Sequence, residues 1–180
     1  MGRMTVHAFV DESTRTGLYL LGVTIVEPAQ LRPARRELSR LLLPGARELH
    51  FKKEKPPRRR ELADRIARLG VPTRIYSACC SPKAQEDARQ RCLEELAGDL
   101  LDVGARRLVL DSRGHRDVDD KRTLQRVLGF RPSKTDLTYE HFESTAEPLL
   151  WIADAVTWCH GAGGEYRRRV AGIIAEVVRL

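Results

Sequence analysis

Two apolar runs in this chain end in an aspartate: HAFV leads into Asp11, and LVL leads into Asp111. If both runs are parallel neighbouring strands, their backbones lie about 4.8 Å apart. Both carboxylates then leave the sheet at its carboxyl edge, where open α/β sheets place their ligands. Two anions in one crevice either force a proton onto one of them or recruit a cation. An all-oxygen site suits Mg²⁺ or Mn²⁺. Taken singly, either aspartate is equally well explained as the start of a turn.

Asp154 stands inside LLWIADAVTW, where nearly every neighbour is apolar. Helical spacing puts it near the stripe of Trp151 and Trp158, so that face is not the solvated one. A lone buried carboxylate is costly; a metal ion or a salt bridge to an arginine would offset the cost. Glu48, in ARELHFKK, precedes His50 and Lys52 by two and four residues. An extended segment would set all three on one face, with a carboxylate for a metal and a histidine and lysine for a water or a phosphate. The tract KKEKPPRRR supplies Lys52, Lys53, Lys55, Arg58, Arg59 and Arg60 as phosphate contacts, although a solvated loop has the same composition. Glu12 points away from Asp11 if the strand continues, and Ser13 can cap a turn. His7 reads as a packed strand residue. Asp117, Asp119 and Asp120 read as a helix start favoured by the macrodipole.

The elements that must carry these residues follow from periodicity. Thr5 to Val10 and Leu18 to Val26 predict an antiparallel hairpin across STRTG. Pro28 to Leu43 predicts a helix behind a first-turn proline, and Arg59 to Leu69 predicts an amphipathic one closed by Gly70. Further on, strands are expected at Thr73 to Cys80, Arg107 to Asp111 and Leu137 to Glu143. Helices are expected at Pro82 to about Val103, Asp117 to Leu128 and Ala146 to Trp158. Glu165 to Leu180 sets Val170, Ile173, Ile174, Val177 and Val178 at helical spacing, which predicts a C-terminal helix and leaves room for a homodimer along its apolar face. An antiparallel start followed by alternating strands and helices gives an α/β protein with a mixed five-stranded sheet flanked by helices.

With 180 residues, 42% hydrophobic and 32% charged, the chain has the size and balance of one globular domain, enough to bury about two-thirds of its unfolded surface. No apolar run reaches the roughly 18 to 20 residues that span a bilayer. The start, MGRMTVHAFVDES, lacks a long apolar core, so a cytoplasmic location is expected. The cysteines, an adjacent pair at Cys79 and Cys80 and two single ones at Cys92 and Cys159, form no CxxC pair and read as buried free thiols. A net charge of +7 favours a polyanionic partner, though a bias of arginine over lysine also follows from a GC-rich genome.

The ordered set D-E-S at Asp11 to Ser13, E-L-H at Glu48 to His50, L-V-L-D-S-R at Leu108 to Arg113 and I-A-D at Ile152 to Asp154 resembles a widespread bacterial family of uncharacterised proteins. Its members begin with D-E-S-G, close with a Q-x-A-D helix and are regarded as RNase H-like. Thr14 stands where the family has glycine, and Trp151 where a glutamine often stands. The resemblance spans about Thr5 to Cys159. It implies Asp11, Glu48, Asp111 and Asp154 as ligands of Mg²⁺ or Mn²⁺, and two-metal hydrolysis of nucleic-acid phosphodiesters, DNA or RNA. Asp11 would then bridge two ions, Glu48 and Asp111 would hold one and Asp154 the other, with His50 assisting proton transfer. The alternatives are an inactive RNase H-like module that binds nucleic acid or a protein, and a phosphatase of small molecules.

Overall fold

The computed structural model describes residues 5–129 and 137–180. Its centre is one six-stranded sheet in the order β5-β4-β1-β2-β3-β6. The hairpin forms as its pattern predicts. β1 (Val6–Arg15) pairs antiparallel with β2 (Leu18–Val26) around Gly17, whose φ of 74° suits a residue without Cβ. β3 (Thr73–Cys79) continues antiparallel on β2, whereas β4 (Ala105–Asp111) lies parallel to β1 and β5 (Thr138–Phe142) parallel to β4.

Strand alternation sends successive side chains to opposite faces, and each face has its own core. On one face Phe9, Leu20, Ile75 and Val109 pack against α1 (Pro28–Ser39), α2 (Pro56–Arg68), α5 (Leu150–Ala162) and α6 (Gly164–Val170). On the other, Val10, Leu21, Tyr76 and Leu110 pack against α3 (Gln85–Asp102) and α4 (Asp117–Leu128). No helix among the described residues is long and apolar enough to cross a membrane.

The main departure from expectation is the C-terminus. α6 stops at Val170, a 3-10 turn covers Ala171–Ile173, and Ile174–Arg179 forms a sixth strand, β6, parallel to β3. The apolar spacing fits a helix, but Ile174, Val177 and Val178 are β-branched and follow Gly172, and β3 offers an unpaired edge. Val177 and Val178 then serve opposite cores, as strand neighbours do. The sheet therefore has six strands rather than five, and the apolar helical face on which a homodimer was expected does not exist.

Smaller shifts matter at the rim. β1 does not end at Asp11 but runs on to Arg15. Pro56 and Pro57 open α2, so half of the basic tract is helical. The segment after Glu48 is not a strand: Phe51–Lys53 is a 3-10 turn. α5 starts at Leu150, four residues after the expected start. Cys92 and Cys159 are buried, but Cys80 is half-buried and Cys79 exposed, so only part of the thiol expectation is met; all four are free.

Candidate metal centre at the sheet rim

β1 and β4 run parallel in a register that pairs Val10 with Leu110. Asp11 and Asp111 are the next residues on each strand, so the topology sets them side by side where β4 ends. Asp154 comes to them from α5, which lies across β1 and β2 because Gly22 leaves space for it. A Cβ on Gly22 would stand 1.8 Å from Thr157 Oγ1 and 3.3 Å from the Ala153 carbonyl oxygen. Gly22 is also the cross-strand partner of Asp11. The close approach of helix to sheet is therefore at the residue opposite the first carboxylate.

Only 13% of the Asp154 side chain is exposed, and its Oδ2 accepts the Phe51 backbone N–H at 3.0 Å. That bond ties the loop bearing Glu48 and His50 to α5. His50 Nδ1 lies 3.9 Å from the same oxygen, too far for a good hydrogen bond but near enough to act as an ion pair. Pairing with Asp154 raises the His50 pKa above the ordinary imidazole value, against the opposing effect of partial burial.

The carboxylates act on one another. Burial, then the charges of Asp154 and Asp111, push the Asp11 pKa well above its ordinary value. Burial, then Asp154, Glu12, Glu143 and Glu48, push Asp111 up to about 7. Asp11 accepts one backbone N–H, from Glu12 at 2.7 Å. Oδ1 of Asp111 is buried with no donor. No ion pair with Asp11 or Asp111 forms among the described residues, which leaves negative charge and unused lone pairs in one place. A divalent cation has the chemistry this set lacks. Glu12, read from the strand pattern as pointing away from Asp11, still acts on the pair by its charge, and Glu143 is an acidic neighbour that the pattern did not single out.

The ligating atoms of the four carboxylates are not gathered on one point. Among the described residues, the group of three whose ligating atoms all lie within 4.8 Å of one another is Asp117, Asp120 and His141. Asp120 lies in the first turn of α4, as its reading as a helix start expects, and is fully buried. Arg89, itself 2% exposed, donates to both of its oxygens at 2.7 and 2.8 Å. Arg113 adds a bond at 2.8 Å and His141 Nε2 lies at 3.0 Å. Burial alone would raise the Asp120 pKa, but these hydrogen bonds and charges hold it well below the carboxylate range. Two guanidiniums thus occupy the lone pairs that an ion would need, and this cluster fits a structural ion network better than a metal site. Arg89 also donates to Glu12, as does the Tyr19 hydroxyl, so the network backs the rim from the opposite face of the sheet. Periodicity carried the signal: Asp120 shares a helical face with Leu124 and Leu128, and Arg89 with Cys92, Leu93 and Leu96.

The basic tract divides in two. Lys52, Lys53 and Lys55 are exposed and make no ion pair among the described residues. Arg58 donates to Glu61 and to the Leu41 carbonyl, and Arg60 reaches Glu165 at 3.4 Å. Arg59 donates to the Phe51 and Lys52 carbonyls at 3.2 and 2.6 Å and lies over the Trp158 ring. Arg59 braces the loop that carries His50, whereas Arg58 ties α2 to the chain just after α1 and Arg60 ties it to α6. A cavity of about 190 Å³ opens beside it, lined by Ser13, Arg15, His50, Lys52, Asp154 and Trp158.

The crowding has a consequence for the metal-free protein. A carboxylate whose folded pKa is raised binds more protons folded than unfolded, so stability falls as pH rises between the two values. For Asp111 that window runs from 3.8 to about 7. In chelator, Asp111→Asn should gain on the parent chain across this window, reaching ~1–2 kcal/mol at pH 8 after solvent screening. Urea titrations at pH 4 and pH 8 measure it, and an equal difference at both pH values would refute the crowding.

No family model matches the chain, and no curated protein matches it. Among solved structures it is similar to RNase HII from Archaeoglobus fulgidus, determined in complex with PCNA. The TM-score is 0.51 at 18% sequence identity, and the match covers 93% of this chain and 75% of that one. At this identity the likeness is one of fold. The chain has an α/β fold similar to that of RNase HII, with a mixed six-stranded sheet flanked by helices.

Proposed function

We propose that this chain is a divalent-metal-dependent nuclease that hydrolyses nucleic-acid phosphodiester bonds. The observation that carries the reading is the mutual repulsion of Asp11, Asp111 and Asp154, with Glu48 acting on Asp111, at the rim where β1 and β4 are parallel neighbours. The RNase H-like fold and the resemblance of the four short motifs to the bacterial D-E-S-G family support it. All described elements are built on one sheet, and we take the chain as a single domain.

Asp11, Glu48, Asp111 and Asp154 would hold Mg²⁺ or Mn²⁺. Bound there, such ions lower the pKa of an attacking water and stabilise charge on the leaving oxygen. The chain's own side chains do the remaining work. His50, whose pKa is raised by Asp154, would pass a proton to the departing oxygen. Lys52, at the mouth of the cavity, meets a phosphate oxygen, and Lys53 and Lys55 extend the positive surface along a strand. Arg59 supports this loop, and Arg58 and Arg60 hold α2 beneath it.

Cleavage of end-labelled DNA, RNA and hybrid oligonucleotides in Mn²⁺, Mg²⁺ and chelator tests the proposal. Cleavage with either ion, its loss in chelator, and a metal-dependent rise in melting temperature are expected. Oligonucleotide binding without cleavage in either ion would instead make the chain an inactive RNase H-like binding module. The absence of any metal-dependent rise would remove the metal centre.

A further inference from the structure

A second cleft, of about 450 Å³, lies beyond the first at the end of the β1–β2 hairpin. Its walls include Thr14, Arg15, Thr16, Cys80, Pro82 and Gln85. Thr14 and Arg15 line both clefts, so Arg15 stands on the saddle between the acidic rim and the larger space.

The chemistry of the two spaces differs. The first is bounded by the carboxylates Glu12 and Asp154 and by the cationic side chains of Arg15, His50 and Lys52. Among the described residues, the second is lined by no carboxylate, and Arg15 is the charged residue in its wall. Two threonine hydroxyls and the Gln85 amide can both donate and accept there, and the Pro82 ring gives an apolar wall. A multiply charged ion finds too little compensation in such a place. A flat, neutral, hydrogen-bonding group attached to a single negative charge fits it.

Arg15 is held where that charge would lie. Its Nη2 donates to the Trp158 carbonyl at 3.0 Å, and its guanidinium carbon is 4.8 Å from the centre of the Trp158 ring. Gly161 makes room for it: a Cβ there would approach Arg15 Nε to 3.0 Å and Leu20 Cδ1 to 2.9 Å. No carboxylate pairs with Arg15 among the described residues, and its Nε is buried without an acceptor. A guanidinium fixed by stacking has lost its side-chain entropy before any anion arrives, which favours phosphate recognition.

We propose that the second cleft holds the nucleoside adjoining the phosphodiester at the rim, with Arg15 on the phosphate between them. This rests on the nuclease reading and narrows its substrate class to nucleic-acid strands. Mononucleotides and small phosphate esters would leave the larger cleft empty.

Cys80 supplies a reporter, because it is half-buried and lines the cleft, whereas Cys79 is exposed and does not line it. The intact chain is incubated in Ca²⁺, to slow turnover, with a single-stranded oligonucleotide, DNA in one arm and RNA in the other. Binding is followed by anisotropy, and iodoacetamide labelling of each cysteine by peptide mass spectrometry. Bound oligonucleotide should slow labelling of Cys80 and leave Cys79 unchanged. Gln85→Ala should weaken binding roughly five- to tenfold through lost hydrogen bonds, with an unaltered melting temperature. Arg15→Gln should lower the slope of log affinity against log salt by about 0.7, the value for one phosphate of a single strand. An oligonucleotide that binds and is cleaved while Cys80 labels at its unbound rate overturns the cleft assignment alone. A chain that neither binds nor cleaves overturns the nuclease reading as well.

Discussion

Asp11→Asn is expected to cost on the order of 10³-fold or more in metal-dependent cleavage, and to yield a chain that melts at higher temperature than the parent in chelator at pH 8. The two effects have one cause. Asp11 is half-buried beside Asp111 and Asp154, and among the described residues its hydrogen-bond donor is the Glu12 backbone N–H. Without an ion, ionised Asp11 faces two like charges and little compensating solvent, so the folded state is strained by its own site. Asparagine keeps the shape and removes the charge. In a chain of this size each kcal/mol recovered raises the melting temperature by about 2–4 °C. Saturating Mn²⁺ should reverse the ranking, because the parent gains the binding energy of the ion and the variant largely does not. Paired melts in chelator and in Mn²⁺, together with a cleavage assay on the same preparations, test both halves. A variant that cleaves at the parent rate, or that melts lower in chelator, would show that these carboxylates do not share a cation.

Gly22→Ala is expected to destabilise the chain by ~2–4 kcal/mol and to reduce cleavage far more than that loss of folded protein explains. The new methyl would sit 1.8 Å from Thr157 Oγ1. That hydroxyl is buried and donates to the Ala153 carbonyl at 2.5 Å, so it has nowhere to turn. The helix has to retreat from the sheet, and Asp154, the residue after Ala153, retreats with it. Thr157→Ala removes the clashing oxygen and opens the same space. The double variant Gly22→Ala, Thr157→Ala should therefore recover much of both stability and cleavage, with a favourable coupling between the two positions. Denaturant unfolding of the four chains in the cycle measures this. Equal effects of Gly22→Ala with and without Thr157 would mean that the glycine does not set the position of α5.

These two positions differ in how far the sequence reveals them. Asp11 and Asp111 announce themselves by residue type and by the apolar runs before them, and Asp154 by its setting among apolar neighbours. The parallel pairing that joins the first two is an expectation from topology rules, and the register between Val10 and Leu110 realises it in the sheet. Gly22 carries no such mark, since a glycine in an apolar strand reads the same whether a helix presses on it or not. Asp120 and Arg89 lie between these cases. Their helical faces point inward, yet a charged residue at a helix start has an ordinary explanation that competes with burial.

What the sequence by itself determined is local: helix α4 over Asp117–Leu128, the β1–β2 hairpin, the alternation that parts Asp11 from Glu12, and the identities of the acidic residues. Each depends on interactions a few residues apart, which periodicity and turn chemistry record directly. The tertiary structure alone decided that Ile174–Arg179 is a strand on the edge of β3, that Arg59 braces a loop while Arg58 and Arg60 bond elsewhere, and that Asp120 lies buried between arginines. Those outcomes follow from which surfaces meet across the fold, and burial against a distant partner outweighs the local preference of the segment itself.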